Sequence, residues 1–354
     1  MKLRAEVTKQ LLRRIAPQVD VRVVLPNGDV LGPNQPNLPT LKILNDDFFN
    51  RLGNDLKIGL GESFMANDWV AEPDLAEVLT PYAEKLLNIV PAWMRKFRKF
   101  FEPFQPKHEE NHLEGSKSNI SRHYDLSNDL FALFLDETLT YSAANFGSDE
   151  ATFNSLAKAQ IRKIEGVLDF AGVKSGMQIL EIGTGWGQLA MQAAYRGAKV
   201  HTITLSKEQK ALADARIAKA GLSNLITVEL RDYRDLEGQY DAVVSVEMIE
   251  AVGEKYWPTY FEAIIKHLKP GGKFGLQAIT MPHDRLMASK HAYTWIHKYI
   301  FPGGIIPSRE VIAQYTKKDL KLVDSRSIRM GYAETLRIWR DKFMENQSKV
   351  RALG

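Results

Sequence analysis

Met177-Gln-Ile-Leu-Glu-Ile-Gly-Thr-Gly-Trp-Gly187 is the stretch that decides the architecture. An apolar run containing Ile179, Leu180 and Ile182 reads as a buried strand, and it enters three alternate glycines. Glycine allows tight turns and close backbone approach to a ligand, because it has no β-carbon. A helix is expected at 187–197. Outward from this point the same alternation repeats. Helix 153–171 precedes the strand, and Lys199–Thr204, Leu225–Leu230, Tyr240–Val246 and 272–279 read as further strands. Helices at 206–220 and 256–268 separate them. This order predicts a parallel sheet covered by helices on both faces. In such a sheet, ligands bind at the carboxyl ends of the strands.

Upstream the pattern differs. Leu3, Val7, Leu11 and Ile15 recur at helical spacing over residues 1–16. Val21–Leu25 and Leu41–Leu44 read as strands, and 46–60 and 75–90 as helices. Residues 102–119 are polar and proline-broken, the pattern of a linker. The expected division is an N-terminal α+β domain at 1–101, a linker at 102–119 and a second domain at 120–354. The length of 354 residues favours two domains, since single cores stop growing at about 250–300 residues.

Composition excludes several classes. With no cysteine, the chain has no disulfide, thiolate metal site or cysteine nucleophile, and no metal site is expected. The net charge of +4, from 47 basic and 43 acidic residues, is too small to argue for nucleic acid. No stretch approaches the roughly 18 apolar residues of a bilayer span, and the N-terminus lacks the apolar core of a secretory signal. A cytoplasmic protein is expected. Arg95 to Lys99 place four cations in five positions between aromatic residues. This is either a solvated helix face or a segment that rests on an anionic membrane surface, which would make the protein peripheral to the inner membrane face.

Three readings of the glycine stretch compete. A dinucleotide site requires G-x-G-x-x-G and an acid near the end of the second strand, but Gln188 takes the third glycine's place and Thr202-Ile-Thr-Leu-Ser contains no acid. A phosphate loop requires a Gly-Lys-Ser/Thr ending, which is missing. The pattern E-x-G-x-G-x-G, with Glu181, Gly183 and Gly185, resembles motif I of class I methyltransferases. That resemblance implies a Rossmann-like doubly wound α/β sheet that binds S-adenosylmethionine. A carboxylate near the loop suits the sulfonium and amino charges of that cofactor. Asp232 suits the adenine amino group, or else caps a helix.

Several further segments resemble the cyclopropane-fatty-acyl-phospholipid synthases: Gly59-Leu-Gly-Glu-Ser-Phe-Met, Arg122-His-Tyr-Asp-Leu-Ser-Asn-Asp, Leu139-Thr-Tyr-Ser-Ala-Ala-Asn-Phe, Val246-Glu-Met-Ile-Glu-Ala-Val-Gly and Lys298-Tyr-Ile-Phe-Pro-Gly-Gly. The resemblance covers nearly the whole chain. It implies an N-terminal lipid-binding domain and methyl transfer to a cis double bond of an unsaturated phospholipid acyl chain in the membrane; a homodimer is compatible with it. The attack leaves a carbocation, which aromatic faces stabilise. Tyr124, Tyr141, Phe146, Trp295, Tyr299 and Phe301 are candidates, each of which could equally be core. The family's proton acceptor is a bound bicarbonate. By correspondence its ligands here are the side chains of Glu250, Tyr332 and Gln277 and the backbone at Ala143 and Ile279, with His123 as a fallback base. The implied cofactor contacts are Tyr141, Ser142, Thr204 to Gln209, Asp232 and Tyr233.

Two positions depart from many relatives: Gln277 stands where histidine is common, and Ala143 where cysteine is common. Relatives usually continue beyond Ala352-Leu-Gly with a further helical segment. The leading expectation is cyclopropane formation. A synthase of methyl- or methylene-branched chains shares every step up to the cation. A small-molecule N-methyltransferase and a lipid-binding protein without catalysis are the more distant alternatives.

Overall fold

A computed structural model describes residues 2–89, 106, 110–112, 115 and 128–353. Arg95–Lys99, His123, Tyr124 and most of 102–119 lie outside the described residues. The chain forms two compact units. The first comprises 1–105 and 291–302, the second 106–290 and 303–354. The segment 291–302, expected within the second domain, therefore packs with the first.

In the first unit, β1 (Arg22–Val24), β2 (Val30–Leu31), β3 (Thr40–Ile43) and β4 (Trp69–Glu72) form a sheet in the order β2-β1-β3-β4. Only the β1–β3 pair is parallel. Val21, Val23, Leu41, Ile43 and Trp69 bury one face against Phe48 and Phe49. The single helix expected at 46–60 is two, Asp47–Asn54 and Gly59–Met65. Gly53 and Asn54 are poor helix formers, and the Asp55 carboxylate accepts from the Lys57 and Ile58 N–H groups, which turns the chain. Gly59 then sits so close to the first helix that a β-carbon would meet the Arg51 carbonyl at 2.2 Å. In the returning segment, the Tyr299 hydroxyl and the Lys298 ammonium both donate to Glu62, and the Trp295 N–H donates to Met65.

The second unit holds five parallel strands: β5 (Gln178–Ile182), β6 (Lys199–Thr204), β7 (Ile226–Leu230), β8 (Tyr240–Val246) and β9 (Leu268–Gln277), in the order β7-β6-β5-β8-β9. The inner strands β5, β6 and β8 are buried on both faces and correspondingly apolar, whereas the edge strands β7 and β9 are partly exposed. Ile179, Val200, Val228 and Val244 pack against helices Phe153–Phe170, Gln188–Tyr195 and Lys207–Lys219. Leu180, Ile182, Ile203 and Val243 pack against Trp257–His267 on the opposite face. This is the doubly wound Rossmann-like α/β sheet expected of a class I methyltransferase. Strand order reverses between β5 and β8, which opens a crevice at their carboxyl ends.

A long helix, Arg329–Glu345, closes on the chain at 143–144. The buried Thr335 hydroxyl accepts from the Ala144 N–H at 3.0 Å and donates to the Gly331 carbonyl at 2.6 Å. Gly331 permits this approach, because a β-carbon there would meet the Ala144 carbonyl at 2.3 Å. Among the described residues no helix is long and apolar enough to cross a membrane.

Candidate active site

A cavity opens at the crevice between β5 and β8. Its lining includes Tyr141, Ser142, Glu181, Gly183, Gly185, Thr204, Gln209, Asp232, Tyr233 and Glu247. The sequence-derived cofactor contacts thus come together from four separate segments, and Glu247 joins them from a fifth. Gly183 and Gly185 have φ of +100° and +52°, the left-handed region that favours glycine. Within 4 Å of where a Gly185 β-carbon would stand there is only open space, so the loop leaves room for a ligand against its backbone. This fits S-adenosylmethionine.

Glu181 is buried at the end of β5, where Thr202 Oγ1 donates to its Oε2 at 2.6 Å. Burial raises its carboxyl to about 8, against the lowering effect of that bond and of Lys163. Lys163 is itself buried on the inner face of Phe153–Phe170 and donates to Ser142 Oγ. Burial lowers its ammonium to about 8, although Glu247, Asp136 and Glu181 all favour its charge. On the other side, Thr204 Oγ1 donates to Gln209 Oε1 at 2.8 Å, and Ser206 caps the following helix. Asp232 takes both roles open to it. It lines the cavity, and it caps a 3₁₀ turn while accepting from the Arg234 N–H, Nε and Nη2. A carboxylate has about four acceptor positions, so these three bonds leave one for a ligand. Tyr141 stacks on Trp339 with centroids 5.2 Å apart, and Phe146 is buried in the same cluster. Trp295, Tyr299 and Phe301 belong to the first unit.

The residues implied for the anion cage also converge, but on a different partner. Ala143 N–H and Gln277 Nε2 both donate to Glu247 Oε1, at 2.9 and 2.8 Å. Gln277 Nε2 also reaches the Ala143 carbonyl at 3.3 Å. The Ile279 N–H donates to Glu250 Oε1. Glu250 Oε2 is buried without a hydrogen-bond partner among the described residues. Burial, then Glu247, raise the Glu250 carboxyl to about 8. Burial also raises Glu247, but Lys163, Ala143 and Gln277 act the other way. Tyr332 is pushed up to about 12 by burial and by these two carboxylates. Three of the donors implied for a bicarbonate, the Ala143 and Ile279 N–H groups and Gln277 Nε2, are thus already given to glutamates, and a third acidic group beside this pair would be repelled. The site as built does not fit that ion.

Glu247 and Lys163 were missed as site residues. Glu247 was legible as a second acid three residues before Glu250, just past a buried strand. Lys163 was legible as a lone cation in the apolar stripe of Leu156, Ala159, Ile164 and Val167.

A family model described as "Mycolic acid cyclopropane synthetase" matches residues 111–354. The chain is 46% identical to the tuberculostearic acid methyltransferase UfaA1 of Mycobacterium tuberculosis, over 99% of this chain and 83% of that protein. It is 33% identical to the Escherichia coli (strain K12) cyclopropane-fatty-acyl-phospholipid synthase, over 86% of this chain and 76% of that one. Among solved structures, the cyclopropane synthase MmaA2 of Mycobacterium tuberculosis aligns with a TM-score of 0.61 at 31% identity, covering 67% of this chain and 86% of that one. The mycolic acid cyclopropane synthase CmaA1, complexed with SAH and CTAB, gives 0.61 at 30%, covering 70% and 87%. Glycine loop, sheet order and these likenesses agree: the chain belongs to the mycolic acid cyclopropane synthetase family of S-adenosylmethionine-dependent methyltransferases.

Proposed function

We propose that this enzyme transfers the methyl group of S-adenosylmethionine to the cis double bond of a phospholipid-bound unsaturated acyl chain. One observation carries the reading: the cofactor cavity reaches Glu247, which forms a buried pair of carboxyls with Glu250 at the carboxyl end of β8. Methylating an alkene produces a carbocation, which must lose a proton to a nearby acceptor. Bound cofactor supplies an electrophilic methyl on a sulfonium. The glycine loop holds it, and Tyr141 on the cavity wall stacks on Trp339 and meets Phe131 edge-on, which sets an aromatic cluster beside the site. Exclusion of water from this apolar cluster protects a cation from capture as an alcohol.

Two products share the cation. The relative that aligns over 99% of the chain is a tuberculostearic acid methyltransferase, and this favours a methyl- or methylene-branched chain here. The likeness to the Escherichia coli synthase supports cyclopropane formation as the second reading. The cations from Arg95 to Lys99 are proposed to hold the enzyme on anionic membrane where its substrate lies.

The test is incubation with labelled S-adenosylmethionine and vesicles of unsaturated phosphatidylglycerol, followed by mass spectrometry of the acyl chains. Mild reduction saturates a methylene branch and spares a ring, which separates the products. Binding of cofactor without label transfer would leave a lipid-binding protein without catalysis. Sedimentation with anionic but not neutral vesicles, lost at high salt, is the expected membrane behaviour.

A further inference from the structure

We infer that the proton acceptor of this enzyme is the carboxylate of Glu247, built into the chain where its relatives' resemblance implies a bound bicarbonate. The inference rests on the alkene methylation proposed above.

Position is the first ground. Glu247 follows β8 at the point where strand order reverses, and it lines the cofactor cavity. Its neighbour Met248 packs where a Gly183 β-carbon would be, 2.5 Å away. The chain at Glu247 is therefore anchored beside the glycine loop through Met248. The second ground is the set of donors. Ala143 N–H and Gln277 Nε2 converge on Glu247 Oε1, and the Ile279 N–H is taken by Glu250. A carboxylate and a bicarbonate present the same flat, anionic pair of oxygens, so one replaces the other at the same donors. The third ground is the backbone. Glu247 has φ of +51°, a conformation that glycine adopts without strain and that side chains with a β-carbon resist. The side chain is held there against a local conformational preference.

Charge divides the pair. Burial raises both carboxyls, but at Glu247 Lys163 and two N–H donors act the other way, while Glu247 itself raises Glu250 further, so the proton rests on Glu250. In the step, the S–C bond breaks with its electron pair remaining on sulfur. The alkene's π pair forms the new C–C bond and leaves the other carbon cationic. Glu247 then removes a proton, and the released C–H pair either forms a C=C bond, after a hydride shift, or closes a ring through the new methyl carbon. The positive charge that began on sulfur ends as the proton on Glu247, which passes to solvent before the next cycle.

The experiment compares wild type, Glu247→Gln and Glu247→Gly with labelled S-adenosylmethionine and unsaturated phosphatidylglycerol vesicles. Each is assayed in buffer stripped of carbon dioxide and again with sodium bicarbonate added. The wild-type rate should be the same in both. Glu247→Gln should lower turnover by about 10²–10⁴-fold with cofactor affinity retained, the usual worth of a general base. Glu247→Gly releases the donors, and added bicarbonate should restore much of its rate. A wild-type rate that collapses in stripped buffer and returns with bicarbonate would overturn the inference, as would full turnover by Glu247→Gln. If both variants misfold, the wild-type comparison decides. Failure of the underlying reading looks different: wild type binds cofactor yet labels no acyl chain in either buffer, which overturns both.

Discussion

Replacing Thr335 by valine removes one hydroxyl and almost no volume, so it isolates the bond that seats helix Arg329–Glu345 on the chain at 143–144. Thr335 and Ala144 are both fully buried, and the Ala144 N–H donates to Thr335 Oγ1 at 3.0 Å. With valine, that buried N–H loses its acceptor. An unsatisfied buried donor costs about 1–3 kcal/mol. For a unit of this size each kcal/mol shifts the melting temperature by roughly 2–4 °C, so a fall of about 4–8 °C is expected at the middle of that range. Thr335→Ser keeps the hydroxyl and should keep most of the stability, which separates the bond from the lost methyl. Differential scanning calorimetry of the cofactor-bound protein measures both variants. The effect should reach catalysis, because the adjacent Ala143 N–H holds Glu247. Turnover of Thr335→Val should fall more than its cofactor affinity. Equal losses in the valine and serine variants, or none in valine, would refute the role given to the hydroxyl.

Gly185→Val forces a β-branched residue into φ of +52° and fills the open space beside the loop; calorimetry should show cofactor affinity falling by at least about tenfold, the equivalent of 1.4 kcal/mol, and unchanged affinity would remove the loop from the binding site. Lys163→Met takes a cation from beside Glu247, so the anion there is disfavoured and its pKa rises; the rising limb of the pH–rate profile should move to higher pH, and a stationary limb would show that Glu247 does not set it. Burial raises Glu181 from 4.5 to about 8, so the folded state binds its proton more tightly than the unfolded chain. That contribution is full below about 4.5 and is lost as pH rises through 8. Glu181→Gln cannot ionise, so its melting temperature relative to wild type should climb between pH 5 and 8.5; a flat difference would contradict the raised carboxyl.

The second unit was legible because its inner strands are buried on both faces. Lys199–Thr204 and Tyr240–Val246 are strands with the bounds that their apolar runs imply. The first unit was less so. Trp69–Glu72 is an edge strand of four residues with one buried member, too short for a period to register. The glycine loop spoke through its φ requirements and Glu250 through its motif. Glu247 was visible as a second acid before Glu250, but its role was not, because that role depends on Ala143 and Gln277, residues 104 and 30 positions away. A resemblance could indicate which residues meet, but not that a side chain of this chain would take the donors implied for an ion. Trp295 and Tyr299 were candidate faces for a cation, yet their partners are Met65 and Glu62 of the first unit.

The discontinuity of that first unit governs how the chain can be made and cut. Lys298 and Glu62 are 236 positions apart. During vectorial synthesis the bed formed by Gly59–Met65 is laid down early and waits for residues 291–302, while the whole of β5 to β9 emerges in between. Loop-closure entropy grows only slowly with such a span, so the delay is kinetic more than thermodynamic. A fragment ending near residue 105 would display that unfinished surface to chaperones and to other copies of itself. A fragment beginning there would carry 291–302 with nothing to receive it. The two halves are therefore best dissected by substitution within the intact chain.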